Sequence, residues 1–270
     1  MKNIELLFPD FCNIYGESYN VEYLRRSCKD INVIETGHKM EPAFVKDKVD
    51  MIYLGCTTEK KQEQIIDILR PYRNRIIELI NDGTIFLVTG NSIEIFGNAI
   101  LEGRRLSPRS GIDGRRVIPA LEIFDFYSVR YMDRERHNSQ YVGTFTPKEL
   151  NENPITMLGH KSQFSFAYRS KDGSNYDTDS GFEYENNSGT DFDPFVDLEI
   201  GIGMNKETKL EGIRKNNFFA TYSLGPYFIL NPLFAKYILR KMGLDDSLAF
   251  ELEIMEAYEY RLHELRENLG

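Results

Sequence analysis

The sequence predicts an α/β fold, a mostly parallel sheet flanked by helices. Short apolar runs alternate with helix-patterned segments through the first third of the chain. Alternation at these lengths is the signature of parallel βαβ units. The runs are continuously apolar rather than alternating, as strands covered on both faces require. The run Thr84–Thr89 ends at Gly90, and a helix-compatible stretch follows at once.

In order, Ile4 to Phe8 reads as a strand, Asn20 to Cys28 as a helix and Ile31 to Glu35 as a second strand. Met51 to Leu54 is a short buried strand between Asp50 and Gly55. Glu59 to Leu69 is helical, with Ile65, Ile66, Ile68 and Leu69 apolar; Pro71 interrupts the pattern and Tyr72 to Asn81 resumes it. A helix is expected over Asn91 to Ala99. Residues 103–118, rich in Gly, Arg and Ser, read as a loop. Leu121 to Tyr127, Tyr141 to Phe145, Phe164 to Tyr168 and Phe218 to Tyr222 read as strands, and Pro232 to Met242 as a helix. Residues 170–194 are loaded with Asp, Ser, Asn and Gly and form a polar excursion. The last segment, Asp246 to Leu269, carries Leu248, Leu252, Met255, Leu262 and Leu265 at helical spacing, a stripe read as core packing. No internal repeat is present, and residues 1–270 are expected to form a single domain with its excursion at about 170–195.

The formal net charge of −9 over 270 residues repels a phosphate backbone, so nucleic acid is not expected as a partner. The arginines Arg104, Arg105, Arg109, Arg115 and Arg116 form only a local cluster. Cys12, Cys28 and Cys56 make no CxxC pair, and four scattered histidines supply no metal-ligand spacing, so neither metal nor cofactor is expected. Asp172, Asp177, Asp179, Asp191, Asp193 and Asp197 lack calcium-loop spacing. Gly201 and Gly203 lack the third glycine of a dinucleotide fingerprint. An odd cysteine count with no apolar leader segment reads as reduced thiols in the cytoplasm, and no run approaches the ~20 apolar residues of a membrane span.

The segment TIFLVTGNSIEIFG is the most informative. A sharp strand-to-helix turn lifts its apex residue above a sheet, where enzymes place a nucleophile and the next N–H can hold an oxyanion. Here the apex is Gly90, which tolerates the backbone but has no group to attack with. A plain βα turn is the alternative reading.

Leu87 to Gly97 resembles the "LAVCGGYQLLG" block of GatD/CobQ-type glutamine amidotransferases (CobB/CobQ-like, class I). Gly90 falls on the nucleophilic cysteine and Glu94 on the family's glutamine. Other blocks follow in family order. Leu7-Phe8-Pro9-Asp10 with Asn13-Ile14-Tyr15-Gly16 resembles "YPD…NIYGD", with Asn20 and the Arg25-Arg26 pair in its continuation. Leu54-Gly55-Cys56-Thr57-Thr58-Glu59 with Gln62 resembles "LGGGQDxEQ", keeping only Gly55 of the three glycines. Asp125-Phe126-Tyr127-Ser128 resembles the block after the nucleophile helix. Glu211-Gly212-Ile213-Arg214, Thr221 to Pro226 and Asn231-Pro232 resemble "EGxR…GTYLHGPLLPxNP", with Leu224 on the catalytic histidine. The likeness spans nearly the whole chain and implies a class I glutamine amidotransferase-like (flavodoxin-like) fold.

It implies the site as well. The family chemistry needs a thiolate to attack glutamine and an imidazole to move the proton. Gly90 and Leu224 can do neither, so a catalytically degenerate protein is expected. Gly55, Cys56, Asn91 and Glu94 become pocket and oxyanion-loop candidates. Gln140 stands where a glutamine-binding arginine is expected, and His160 matches the histidine of "GFENHxGRT", with Asn187 as a rival match. A relocated nucleophile such as Cys56 is the alternative, with Cys56 as a small buried hydrophobe and His160 as an ordinary hydrogen-bonded histidine opposing it. Ser92, two residues past the turn, is expected to point elsewhere. The resemblance implies a Mur-ligase-like ATP-dependent partner, as in enzymes that amidate lipid II or a corrin, and a glutamine or other amino-acid ligand. An unrelated α/β interaction module is the third reading.

Overall fold

The computed structural model describes residues 1–102, 116–149, 151–169 and 189–269. In chain order the elements are β1 (Lys2–Leu7), α1 (Tyr19–Ser27), β2 (Ile31–Thr36), β3 (Met51–Leu54), α2 (Glu59–Leu69), α3 (Arg73–Asn81) and β4 (Ile85–Thr89). Then come β5 (Ala99–Glu102), β6 (Arg116–Pro119), β7 (Phe126–Arg130), β8 (His137–Phe145), β9 (Ile155–Gln163), β10 (Ser165–Arg169) and β11 (Val196–Ile200). The chain closes with β12 (Leu210–Glu211), β13 (Ile213–Lys215), β14 (Phe218–Thr221), α4 (Tyr227–Leu230), α5 (Pro232–Lys241) and α6 (Glu251–Leu269).

The central sheet has the order β13-β14-β4-β3-β1-β2 and is parallel except at its β13–β14 edge. The expected mostly parallel sheet with flanking helices is therefore present. One face buries Ile52, Leu54, Phe86 and Val88 against Ile65, Ile66 and Leu69 of α2 and Ile76 and Leu79 of α3. The alternate residues Ile4, Leu6, Tyr53, Leu87 and Phe219 face α1, α4, α5 and strands β8, β9 and β11. Period-two alternation thus sorts one continuous apolar run into two cores. Phe145 fastens the second core, meeting Phe195, Phe219, Phe234 and Tyr237 edge-on at centroid distances of 5.5, 5.7, 5.3 and 5.2 Å. Each such ring contributes about 1.5–3 kcal/mol by burial alone.

Two four-stranded sheets, β10-β7-β5-β6 and β12-β11-β8-β9, were not legible as sheets. Several predicted elements also change. The helix expected over Asn91 to Ala99 is a 3-10 turn, Gly90–Phe96, because Gly97 is pressed against Phe126 and Ala99 already pairs in β5. The strand expected from Leu121 begins at Phe126; Leu121, Ile123 and Phe124 instead donate backbone bonds to Ile95 and Phe96 carbonyls. Within the expected loop 103–118, residues 103–115 lie outside the described residues, and Arg116 opens β6 and pairs with Glu63. Arg104, Arg105, Arg109, Arg115, Asp172, Asp177, Asp179 and Asn187 lie outside them too, as does most of the polar excursion. On α6 the apolar stripe is only half core: Leu265 is buried, Met255 and Leu262 are half-buried, and Leu252 is 72% exposed. One shallow contact surface on β8 and α5 cannot cover every turn of so long a helix.

A buried ion pair sets the loop after β14. The Lys161 ammonium, fully buried, donates to the carbonyls of Ile202 (2.6 Å) and Gly203 (2.7 Å) and to Glu211 Oε2 (2.9 Å). Glu211 Oε1 accepts from Thr221 Oγ1 and the Tyr222 N–H, both at 2.9 Å. Every strong donor and acceptor of the pair is engaged, so removing one partner strands a buried charge. Lys161→Met is expected to cost about 3–5 kcal/mol, read as a lower urea midpoint with the slope unchanged.

Candidate functional site

The loops at the carboxyl ends of β3, β4 and β14 meet in a narrow cleft lined by Cys56, Thr57, Gly90, Asn91, Tyr222 and Leu224, with Arg136 and Gln163 on its opposite wall. Openings at the carboxyl edge of a parallel sheet are where such folds bind ligands.

Gly90 has φ of 65°, in the left-handed region. A Cβ on it would lie 2.5 Å from Cys56 Cβ, 2.7 Å from Cys56 Sγ and 2.9 Å from Leu224 Cδ2. These distances are below van der Waals contact, so the three residues share one volume. Backbone bonds lock the arrangement: Gly90 N–H donates to the Ser223 carbonyl (3.0 Å) and Leu224 N–H to the His160 carbonyl (2.9 Å). Gly55 is needed for a different reason. A Cβ there would meet the Cys12 carbonyl oxygen at 2.5 Å and Glu17 Cβ at 2.8 Å. Positions 56 and 57 carry side chains without such a collision.

Two donors of the loop are occupied. Asn91 Oδ1 accepts from the Thr57 N–H at 3.0 Å and from the Cys56 thiol at 3.3 Å. Ser92 Oγ turns away from the cleft, as expected, and donates to the Gly55 carbonyl at 2.6 Å. An N–H already held by an internal acceptor is not free for an oxyanion. Burial pushes the Cys56 thiol up to about 12, with Asn91 pulling against it and the Glu17 charge adding to it. The thiolate fraction at neutral pH is then on the order of one part in 10⁵.

Gln140 and His160 do not join the cleft. They are cross-strand partners on β8 and β9, on the side shared with Val142 and Leu158. That side packs on Tyr258 and Leu265 of α6. One-residue parity sends Lys161 and Gln163 inward and His160 outward; the His160 ring is exposed. None of the four histidines lines the cleft. Among the described residues no cluster could hold a metal ion, and Asp191 and Asp193 pair with Arg169 and Lys148.

Glu94 sits under the cleft, fully buried. Gln62 Nε2 donates to it at 3.1 Å and to the Asn91 carbonyl at 2.5 Å. Arg130, also buried, lies 3.6 Å from Glu94, donates to Glu102 at 2.7 Å and reaches Gln62. Burial raises the Glu94 carboxyl above the ordinary range despite Arg130 and Gln62. Sequence reasoning missed Arg130, although an arginine inside the apolar run FYSVRY is a signal for a buried partner. It also missed Glu17. This fully buried carboxyl behind Gly55 accepts the Tyr15 N–H at 2.7 Å, while its Oε1 has no partner. Burial raises its pKa, with the backbone bonds opposing.

The parallel sheet, the turn at Gly90 and the facing loop at Gly55 together give the frame of a class I glutamine amidotransferase-like α/β fold. No protein-family model matches the chain. In sequence it is similar to the GatD subunit of the glutamine-hydrolysing lipid II isoglutaminyl synthase of Staphylococcus aureus (strain N315), at 24% identity over 246 residues, 90% of this chain and 84% of that protein. Similarity at that coverage supports a relationship to glutamine amidotransferases. Solved structures that align with it include PurLQS from Thermotoga maritima (11% identity, TM-score 0.46, 97% of this chain and 99% of that one). Another is the glutaminase domain of Trypanosoma brucei CTPS with bound acivicin (8% identity, TM-score 0.42, 92% and 98%).

Two outcomes follow from the packing. Gly90→Cys is expected to lose about 2–4 kcal/mol, the sum of left-handed strain and overpacking. Adding Cys56→Gly removes the two closest collisions and should restore more than half of that loss in a denaturant titration. For Glu17, a raised pKa means the folded state holds the proton more tightly than the unfolded chain. Stability therefore falls as pH rises from about 4.3, the unfolded value, through the folded pKa. Glu17→Gln should match the parent near pH 4 and exceed it in stability at pH 7.5, read from denaturant midpoints at the two pH values.

Proposed function

We propose that this chain is a catalytically degenerate, single-domain glutamine amidotransferase-like subunit that works by binding rather than by hydrolysis. Its partner on this reading is a Mur-ligase-like ATP-dependent enzyme, in the cytoplasm and in the service of peptidoglycan amidation. The cleft is left to hold glutamine or another amino acid. The observation that supports it most is the shared volume at the turn: Cys56 and Leu224 occupy the space that a nucleophile at position 90 and its base need. The likeness to a protein that is itself one subunit of a larger enzyme supports the partner.

One observation favours a second reading. Cys56 Sγ lies 2.7 Å from the Cβ position of residue 90, so a thiol does stand near the family's point of attack. Against it stand the thiol's burial and the lack of an imidazole in the cleft.

An ammonia-release assay with glutamine separates the two. The purified chain should stay at background, alone and with its partner ligase, and Cys56→Ser should change nothing. Turnover above background that Cys56→Ser abolishes establishes the relocated nucleophile instead.

A further inference from the structure

An exposed apolar surface lies along α6 and beside α4. Phe250, Leu252 and Tyr260 are 67, 72 and 68% exposed. Between the two helices runs a groove of about 330 Å³ with Ile229, Leu230, Ala257, Tyr258 and Tyr260 on its walls and Arg261 and Glu264 at one end. The Tyr258 hydroxyl donates to the Thr156 carbonyl at 2.9 Å and closes its floor. Phe250, just ahead of α6, holds φ of 55° while its ring faces solvent. A non-glycine residue in that region is uncommon and costs stability.

Charge decides what fits. Helix α6 carries six glutamates against two arginines. Glu253, Glu256, Tyr260, Glu264 and Glu267 follow one another at three- and four-residue spacing, so the acids flank Tyr260 along one stripe. Among the described residues Glu253, Glu256 and Glu264 have no ion-pair partner. An anionic bilayer or a nucleic acid is repelled by this stripe. A second copy of the chain is repelled too, because a two-fold contact sets the same acids against each other. A cationic surface with an apolar ridge is attracted.

We infer that the α4–α6 groove is the docking site of the partner enzyme, and that it takes a basic amphipathic helix whose apolar side chain seats against Tyr260 while Lys or Arg residues meet the glutamates. The inference rests on the partner reading above and adds the surface and the chemistry of the contact. A 19-residue helix offers a face about 28 Å long, enough for four turns of such a segment.

The test uses the full chain with the Mur-ligase-like enzyme of the same organism. Dissociation constants are measured at low and high salt for the parent, Tyr260→Glu, the pair Glu256→Lys/Glu264→Lys, and Glu78→Lys on α3 as a control across the sheet. Tyr260→Glu and the charge-reversed pair should each weaken binding at least tenfold, the parent should weaken with salt, and the control should bind like the parent. Unchanged melting temperatures establish that the exposed substitutions leave folding intact. If a complex forms and both variants bind like the parent, the groove is not the dock and the partner reading stands. If the chain alone sediments as a dimer that Tyr260→Glu dissociates, the occupant is a second copy and the inference is wrong. If no complex forms at any concentration, the partner reading fails and this inference fails with it.

Discussion

Excluded volume at the end of β4 governs the cleft. The backbone at Gly90 is left-handed, and the nearest atoms of Cys56 and Leu224 stand where a Cβ would be. Cys56 and Leu224 together fill that space, and no side chain can be added to it from the turn. The glycine at 90, the cysteine at 56 and the leucine at 224 are therefore one packing solution. Burying an aliphatic group against a sulfur favours the neutral thiol, so the geometry that fills this corner also keeps the sulfur protonated.

The polar groups around this corner are bonded to one another. Asn91 ties off the Thr57 N–H, and Gln62 bridges Glu94 to the turn. Below, Arg130 links Glu94 to Glu102, and behind the β14 loop Lys161 and Glu211 hold Tyr222 in place. Such pairs contribute little net stability against apolar replacements, but they fix one arrangement. The cleft is thus rigid on its sheet side. Its opposite wall carries Arg136, stacked on Phe164 at 4.4 Å.

Much of this was legible in the sequence where local pattern and fold agree. Glu59–Leu69 was read to the residue, because Thr58 caps the helix and the apolar spacing is regular. The turn at Gly90 and its facing loop were legible as a motif. Strand β9 was not, because LGHKSQ alternates around a buried lysine whose partner lies 50 residues away at Glu211. The same strand misled the placement of His160: identity in a motif does not fix the face of a strand, and one residue of register reverses it. The 3-10 turn was unreadable because Gly97, close-packed on Phe126, ends the helix by a contact distant in sequence. The exposed half of α6 kept an apolar stripe that sequence alone assigns to a core.

The most direct measurement is the pH dependence of Cys56 alkylation in the native chain, followed by mass spectrometry of its own peptide. With the thiol pushed up to about 12, labelling by iodoacetamide should be slow and still rising, without a plateau, between about pH 6 and pH 9. A plateau with a midpoint below about pH 8 means an exposed, activated thiolate beside the turn and contradicts the account.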